Sequence, residues 1–322
     1  MFNLEEKEKK GKFNFEFPDA MQKNVNLKPF TSFKIGGTAD IYITPSSLEE
    51  LSAALELLKM ERMPAMLLGG GTNLLIPDEG IRGAVIHTCR LKKIRTLKID
   101  GALFVEAEAG VLMQEAVDFC VEQELAGLED FAGLPGTVGG AVFMNARCYE
   151  TSISDVLESA SALEVTEKGC ELKTYHCNQD EWDYKRSPFQ PKDKSYTVIY
   201  DGRPIIVSAL FKTEPGNRET ICKTIAERIA DRTAKGHFKL PSAGSVFKNN
   251  RAFGKPAGKL IEEAGLCGLR IGDAQVAPWH GNIIVNTDSA TAREVTELIK
   301  TIQRRIKDQI GFELEPEIIF AE

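Results

Sequence analysis

The sequence predicts a chain of mixed α and β structure divided into two or three domains, on three observations. Its 322 residues exceed what one hydrophobic core usually organises. Apolar segments of period two alternate with segments of helical period along most of the length. Breaks rich in glycine and proline separate them, the sharpest at "KTEPGN" around Pro215 and Gly216.

Each element follows from its own pattern. Residues 1–25 are charged and aperiodic and read as a flexible extension. "ADIYITPSS" alternates as a strand and runs into Ser46 and Ser47, each followed three residues later by a glutamate, the signal of a helix start. The helix so opened carries Leu48, Leu51, Leu55 and Leu58 on one face. "AMLLGGG" reads as a buried strand meeting a glycine turn, "GAVIHT" and "LFVEAEAG" as strands, and Val111 to Glu124 as a helix. Alternating segments follow around 156–166, 196–200 and 204–211. After the break at Pro215 come a helix through Ile221, Ile225 and Ile229, a second helix after "GKPAG" and a strand "GNIIVN". A helix capped by Thr291 and a closing strand "FELEPEIIF" complete the chain.

Composition narrows the function. A formal net charge of −7 lends nothing to a nucleic-acid or anionic-membrane partner, whose footprints are basic. The N-terminus has no apolar run of signal-peptide type, and no stretch approaches the length of a membrane span. Seven scattered cysteines without a C-x-x-C pair suit reduced thiols in a cytoplasm, and four histidines show no metal-ligand spacing. The expectation is a cytoplasmic, metal-free protein without nucleic-acid or membrane partners.

Two glycine loops look chemical. "LLGGGTNLLI" places Gly69, Gly70 and Gly71 with Thr72, Asn73 and Leu74 at the end of a buried strand, where bare backbone can approach phosphate oxygens. "GLPGTVGGAVFMNA" repeats the theme with Gly133, Pro135, Gly136, Thr137, Gly139 and Gly140. Neither is a G-x-G-x-x-G fingerprint or a P-loop, so a dinucleotide such as a flavin fits better than NAD. "PSAGSVFKNN" sets Ser245 before Lys248 in an S-x-x-K pattern, but the partner motifs of serine acyl-enzymes are absent, as is G-x-S-x-G. "DYKRSPF" holds Lys185 and Arg186 beside Ser187, either an anion site or a solvated turn. Gln275 and His280 precede an apolar strand, and alternation puts Glu315 and Glu317 of "LEPEII" on one face, Pro316 notwithstanding.

Together "TSFKIGGTAD", "GGGTNLLI", "LPGTVGGAVFMNA", "PSAGSVFKNN", "AGKLIEEAGLCGLRIGDAQV" and "LEPE" resemble the UDP-N-acetylenolpyruvoylglucosamine reductase family, in its order, from Thr31 to Glu317. The resemblance implies an α+β protein: a two-part FAD-binding domain of the PCMH type (26–88 and 89–214), a substrate-binding domain (215–312) and a final strand (313–322) returning to the flavin domain. Only about thirty residues separate Val207 from Lys239, as in the shorter subclass without a tyrosine-loop insertion. It also implies noncovalent FAD reduced by NADPH, a UDP-sugar as the small-molecule partner, and a monomer or weak oligomer.

By motif match Ser245 is the proton donor, Glu317 the catalytic glutamate acting as a protonated acid, and Asn249, Gln275 and Tyr149 lie near the substrate. Lys235 and His280 are the candidates for the UDP phosphates. The family pattern Tyr-Arg-x-Ser-x-Phe reads Tyr184-Lys185-Arg186-Ser187-Pro188-Phe189 here, so Lys185 stands where an arginine is expected, with Arg186 as the alternative. "MNARCYE" departs as well, with Arg147 at a position where the family more often has glycine. The alternatives are another PCMH-type flavin oxidoreductase or a non-catalytic nucleotide-sugar binding relative.

Overall fold

The structure, a computed structural model, describes residues 20–191 and 203–321. Its first layer is a four-stranded sheet in the order β1-β2-β5-β3, from β1 (Met21–Asn26), β2 (Thr38–Ile43), β3 (Ala65–Leu68) and β5 (Ile81–His87). Helix α1 (Leu48–Met60) connects β2 to β3, and the short β4 (Leu74–Leu75) follows the first glycine loop. The start of α1 is written in its cap: Ser47 Oγ accepts from Glu50 N at 3.2 Å while the Glu50 carboxylate accepts from Ser46 N at 2.7 Å. Leu51, Ala54, Leu55 and Leu58 bury the inner face.

The second layer is an antiparallel sheet running β12-β11-β13-β7-β6. Its strands are β6 (Ile94–Ile99), β7 (Ala102–Glu108), β11 (Leu157–Thr166), β12 (Gly169–His176) and β13 (Ile205–Pro215), and β8 (Leu125–Ala126) pairs with the end of β13. Helix α2 (Met113–Glu122) buries Met113, Ala116, Val117 and Cys120 in its core. Helix α3 (Val138–Phe143) rises from the second glycine loop, and β9 (Arg147–Cys148), β10 (Thr151–Ser152) and α4 (Ile153–Val156) complete the turn into β11. Leu163, Val165, Ile205 and Val207 pack with α1 and β5, so the first two layers share one core.

Helix α5 (Arg218–Ala234) opens after the break at Pro215, yet Ile225 packs against the second-layer core. The chain break therefore precedes the spatial one, because the apolar face of α5 finds its partner behind it. The third layer, β14-β17-β16-β15, contains β14 (Ser242–Ser245), β15 (Arg270–Ile271), β16 (Ala274–Val276) and β17 (Ile283–Asn286). Helices α6 (Ala257–Glu263) and α7 (Ala292–Ile310) cover it, the latter burying Val295, Leu298, Ile299, Ile302 and Ile306. Strand β18 (Ile319–Phe320) then pairs in parallel with β4.

Polar contacts tie the third layer to the first. Ser32 Oγ donates to Ser242 O at 2.7 Å, and buried Asn286 donates from Nδ2 to Phe33 O at 3.1 Å. The Asp78 carboxylate accepts from Ala292 N and Arg293 N at 2.8 and 3.1 Å, capping α7 across the boundary.

Three expectations change. Residues 21–25 belong to β1 and not to an extension; the rest of the expected extension, residues 1–19, and the segment around 196–200 lie outside the described residues. The closing strand shortens to Ile319–Phe320, because Pro316 has no amide to donate and meets Phe247 in a single bridge. Glu315 and Glu317 point to different surroundings: Glu315 pairs with Lys248 at 3.0 Å at the surface, while Glu317 turns inward.

Candidate active site

A cavity of about 380 Å³ lies where the three layers meet. One wall is the first glycine loop, Gly69 to Leu74, and another is the second, from Leu134 and Pro135 through Gly136, Thr137, Gly139 and Gly140. Glycine is required because the loops press on each other. A Cβ at Gly70 would fall 2.6 Å from Gly136 Cα, and one at Gly136, whose φ is +110°, would fall 2.7 Å from Thr72 Oγ1. The amides of Gly70, Gly71, Thr72 and Asn73 have no partner among the described residues. Thr137 caps α3, its Oγ1 accepting from Gly140 N at 3.4 Å. Free amides on one side and bare glycine backbone on the other fit the phosphates of a dinucleotide. Gly133 stands outside the lining and packs beside Arg232.

Ser245 reaches the cavity through a bulge. Strand β14 carries one more residue than β17 between the pairs Ser242–Val285 and Ser245–Ile283, and Gly244 adopts φ +73° there. A left-handed glycine in a bulge bends the strand and redirects the next side chain. Beyond it the chain is locked: Asn282 Oδ1 accepts from Phe247 N at 2.9 Å, and its Nδ2 donates to Phe247 O at 2.8 Å. Glu317 N donates to Val246 O at 2.7 Å, which sets Glu317 one residue along from Ser245 on the neighbouring segment.

Lys185 faces the same space. Its Nζ lies 2.8 Å from Glu317 Oε1, with the side chains only 15% and 10% exposed. Asp183 and Arg186 exchange backbone bonds at 3.0 and 3.1 Å, so Tyr184 and Lys185 form the tip of a tight turn, and Lys185 takes φ +57°. The turn rests on the end of α3: Ser187 Oγ donates to Phe143 O at 2.7 Å, and Gln190 Nε2 donates to Phe143 O at 3.0 Å and Lys185 O at 3.1 Å. Arg186 is exposed and absent from the lining. Lys185 Nζ and the Glu317 carboxyl group thus meet in direct polar contact at the edge of the cavity.

Comparison with known proteins decides the family. A UDP-N-acetylenolpyruvoylglucosamine reductase of Treponema denticola is 50% identical over 92% of this chain and 91% of the relative. One of Treponema pallidum is 42% identical over 93% of both. The chain belongs to the UDP-N-acetylenolpyruvoylglucosamine reductase family. Residues 236–321 match the C-terminal domain of that reductase, and residues 39–172 match an FAD binding domain. The solved reductase of Thermus caldophilus superposes with a TM-score of 0.75 at 33% identity, covering 94% of this chain and all of that one. The stretch from Val207 to Lys239 holds most of β13 and α5.

Within the family frame, the five expected substrate residues stand apart from the cavity lining. Tyr149, Lys235 and His280 gather around its α5 end. The Tyr149 hydroxyl donates to Asp231 Oδ2 at 3.0 Å, and its ring lies 4.1 Å from the Arg228 guanidinium and 5.8 Å from Lys235 Nζ. Burial and the Asp231 carboxylate push that hydroxyl up from the usual tyrosine range. The His280 ring is 5.7 Å from that of His237, a lining residue, and burial lowers both imidazoles, His237 to about 4. Asn249 is exposed and accepts from Ala257 N at 2.9 Å, while Gln275 donates to Gly268 O at 3.2 Å, so local bonds occupy both. Sequence reasoning missed Arg232 and His237. Arg232 follows from α5 only once the end of that helix is known to meet the second glycine loop.

Proposed function

We propose that this protein reduces the enolpyruvyl ether of UDP-N-acetylglucosamine to UDP-N-acetylmuramate, with NADPH as reductant and noncovalent FAD as the redox group. The reaction belongs to peptidoglycan precursor synthesis in the cytoplasm, and the protein works on its small-molecule substrate as a monomer or weak oligomer. The observation that carries the reading is the convergence of Ser245, Lys185 and Glu317 on a cavity walled by two glycine loops. When bound, FAD supplies the hydride.

The residues of the chain supply the rest. The free amides of the first loop and the bare backbone of the second hold the flavin phosphates. Lys185 attracts the substrate carboxylate and favours negative charge on the carbon beside it, and Glu317 holds the ammonium in place. Lysine does this as a point charge, without the two-pronged geometry of arginine. Ser245 gives its hydroxyl proton to that carbon on one face, the direction set by the bulge at Gly244. Tyr149, Lys235 and His280 receive the UDP portion, with Asn249 and Gln275 at its margin. In this reading residues 26–214 form the flavin-binding part and 215–312 the substrate part.

The test is a visible spectrum of the purified protein without oxygen. Flavin absorbance should bleach with NADPH and return on addition of the enolpyruvyl UDP-sugar. A flavin that ignores the sugar and recovers only with oxygen would refute the proposal.

A further inference from the structure

Arg147 lines the cavity from β9, on the same bonded frame as Lys185. Buried Asn145 joins the two: its Nδ2 donates to Asp183 O at 3.0 Å in the turn that carries Lys185, and its Oδ1 accepts from Ser154 N at 3.0 Å just beyond β10. Ser187 and Gln190 fasten that turn to Phe143, so both cations reach the cavity from one unit at the end of α3. Pairing with Ser152 across the β9–β10 hairpin fixes the backbone of Arg147.

The guanidinium is held but not used up. Nε donates to Tyr149 O at 3.2 Å and Nη2 to Glu150 Oε2 at 2.9 Å, while Nη1 makes no hydrogen bond among the described residues. A guanidinium carries five N–H donors in a fixed fork, so its end-on edge remains open. Its partner Glu150 is 95% exposed and stands outside the lining, and an ion pair with so exposed a partner contributes little. Glu317 is the one carboxyl group among the described lining residues, and it faces Lys185 at 2.8 Å. Arg147 therefore brings to the wall a positive charge that no lining carboxylate answers. A ligand carboxylate presents two oxygens in a plane, which suits a fork better than a lone ammonium already in contact with Glu317.

We infer that Arg147 is a substrate-binding residue whose guanidinium takes one oxygen of the enolpyruvyl carboxylate while Lys185 takes the other. The inference deepens the reading of the cavity as a reductase site and rests on it. It supplies the directed donor that the point charge of Lys185 lacks.

Dissociation constants are measured on FAD-loaded protein for UDP-N-acetylmuramate, the product that keeps the carboxylate, and for UDP-N-acetylglucosamine, which lacks it. The proteins are wild type, Arg147→Met, Arg147→Lys and Glu150→Gln. Arg147→Met should weaken the muramate by about tenfold or more and leave the glucosamine unchanged, as a lost charge-assisted contact requires. Arg147→Lys keeps the charge without the fork and should lose part of that affinity; it carries the test if the methionine variant fails to fold. Glu150→Gln releases the guanidinium from its exposed partner and should bind the muramate at least as tightly as wild type. Equal weakening of both sugars in Arg147→Met, unchanged muramate binding in both Arg147 variants, or a Glu150→Gln variant that matches Arg147→Met would overturn the inference. Slower flavin reduction by NADPH in Arg147→Met, with the preference for the muramate intact, would assign the residue to the reductant and overturn it too. Wild-type protein that binds neither sugar, or that converts no enolpyruvyl UDP-sugar with NADPH, would overturn the reading of the cavity, and this inference with it.

Discussion

Gly70→Ala and Gly140→Ala separate what the glycine loops do for the protein from what they do for a ligand. The Cβ of the first variant would lie 2.6 Å from Gly136 Cα, 3.2 Å from Gly136 C and 3.3 Å from Thr137 N. All three are backbone atoms, so the two loops must part. Overpacking of this kind costs roughly 1–3 kcal/mol, which should appear as lost stability in urea unfolding of the flavin-free protein. If FAD binds across both loops, its affinity should fall about 5- to 150-fold, the same energy expressed as binding. At Gly140 a Cβ meets only Thr137 Oγ1, at 3.6 Å, an ordinary contact. Alanine gains up to about 1 kcal/mol over glycine within a helix, so Gly140→Ala should be as stable as wild type or more so. Its new methyl lies on the cavity wall, and FAD affinity should still drop. A Gly70→Ala protein with wild-type stability and FAD affinity, or equal destabilisation by both variants, would refute the reasoning.

Lys185→Ala should abolish most turnover and Arg186→Ala little of it; adding Glu317→Gln to Lys185→Ala should recover part of the roughly 3 kcal/mol lost when a nearly buried pair is broken, read by chemical denaturation. Lys185→Gly should unfold about 1 kcal/mol less easily than Lys185→Ala, because only glycine is at ease at φ +57°; equal midpoints would show that the turn is unstrained. Ser245→Ala should slow the single-turnover reduction of substrate by about 10²- to 10⁴-fold while FAD affinity stays unchanged. His87, buried with its Nδ1 2.5 Å from the Tyr42 hydroxyl, is held down to about 4 by burial, so an unfolded chain takes up a proton below pH 6.5 that the folded one refuses. Stability should therefore fall by about 3 kcal/mol between pH 6.5 and 4, and a flatter profile in His87→Asn, measured by urea midpoints across that window, checks the assignment.

The legible parts of the fold were those with a local cause. Caps at Ser47 and Thr291 and apolar faces at the helical period located α1 and α7, because the groups that set their boundaries lie within one turn. Strand β1 escaped because "MQKNVN" leaves most of its side chains partly or fully exposed and is held through backbone pairing to β2. Strand β12 escaped for the same reason, pairing only with β11 at the edge of its sheet. Both glycine loops were readable as loops, but α3 within the second was not, since the helix exists by virtue of the Thr137 cap and packing against Ala109.

The three side chains proposed to act in this cavity are placed by departures from regular structure that no periodicity announces. Ser245 is aimed by an extra residue in β14, Lys185 by a left-handed turn that disfavours its own side chain, and Glu317 by a proline that ends the alternation Glu315 would otherwise share. Each departure costs something locally and is held by neighbours, Asn282 for the first, Gln190 and Ser187 for the second, the backbone of Val246 for the third. A sequence motif names the residues that meet, because a chain position survives in one dimension. Which of two adjacent cations turns inward is a matter of turn geometry, and here the carbonyl of Lys185, fixed by Gln190 to the end of α3, answers it. The contact Lys185 makes with Glu317 is a single one at 2.8 Å, for which a point charge is enough.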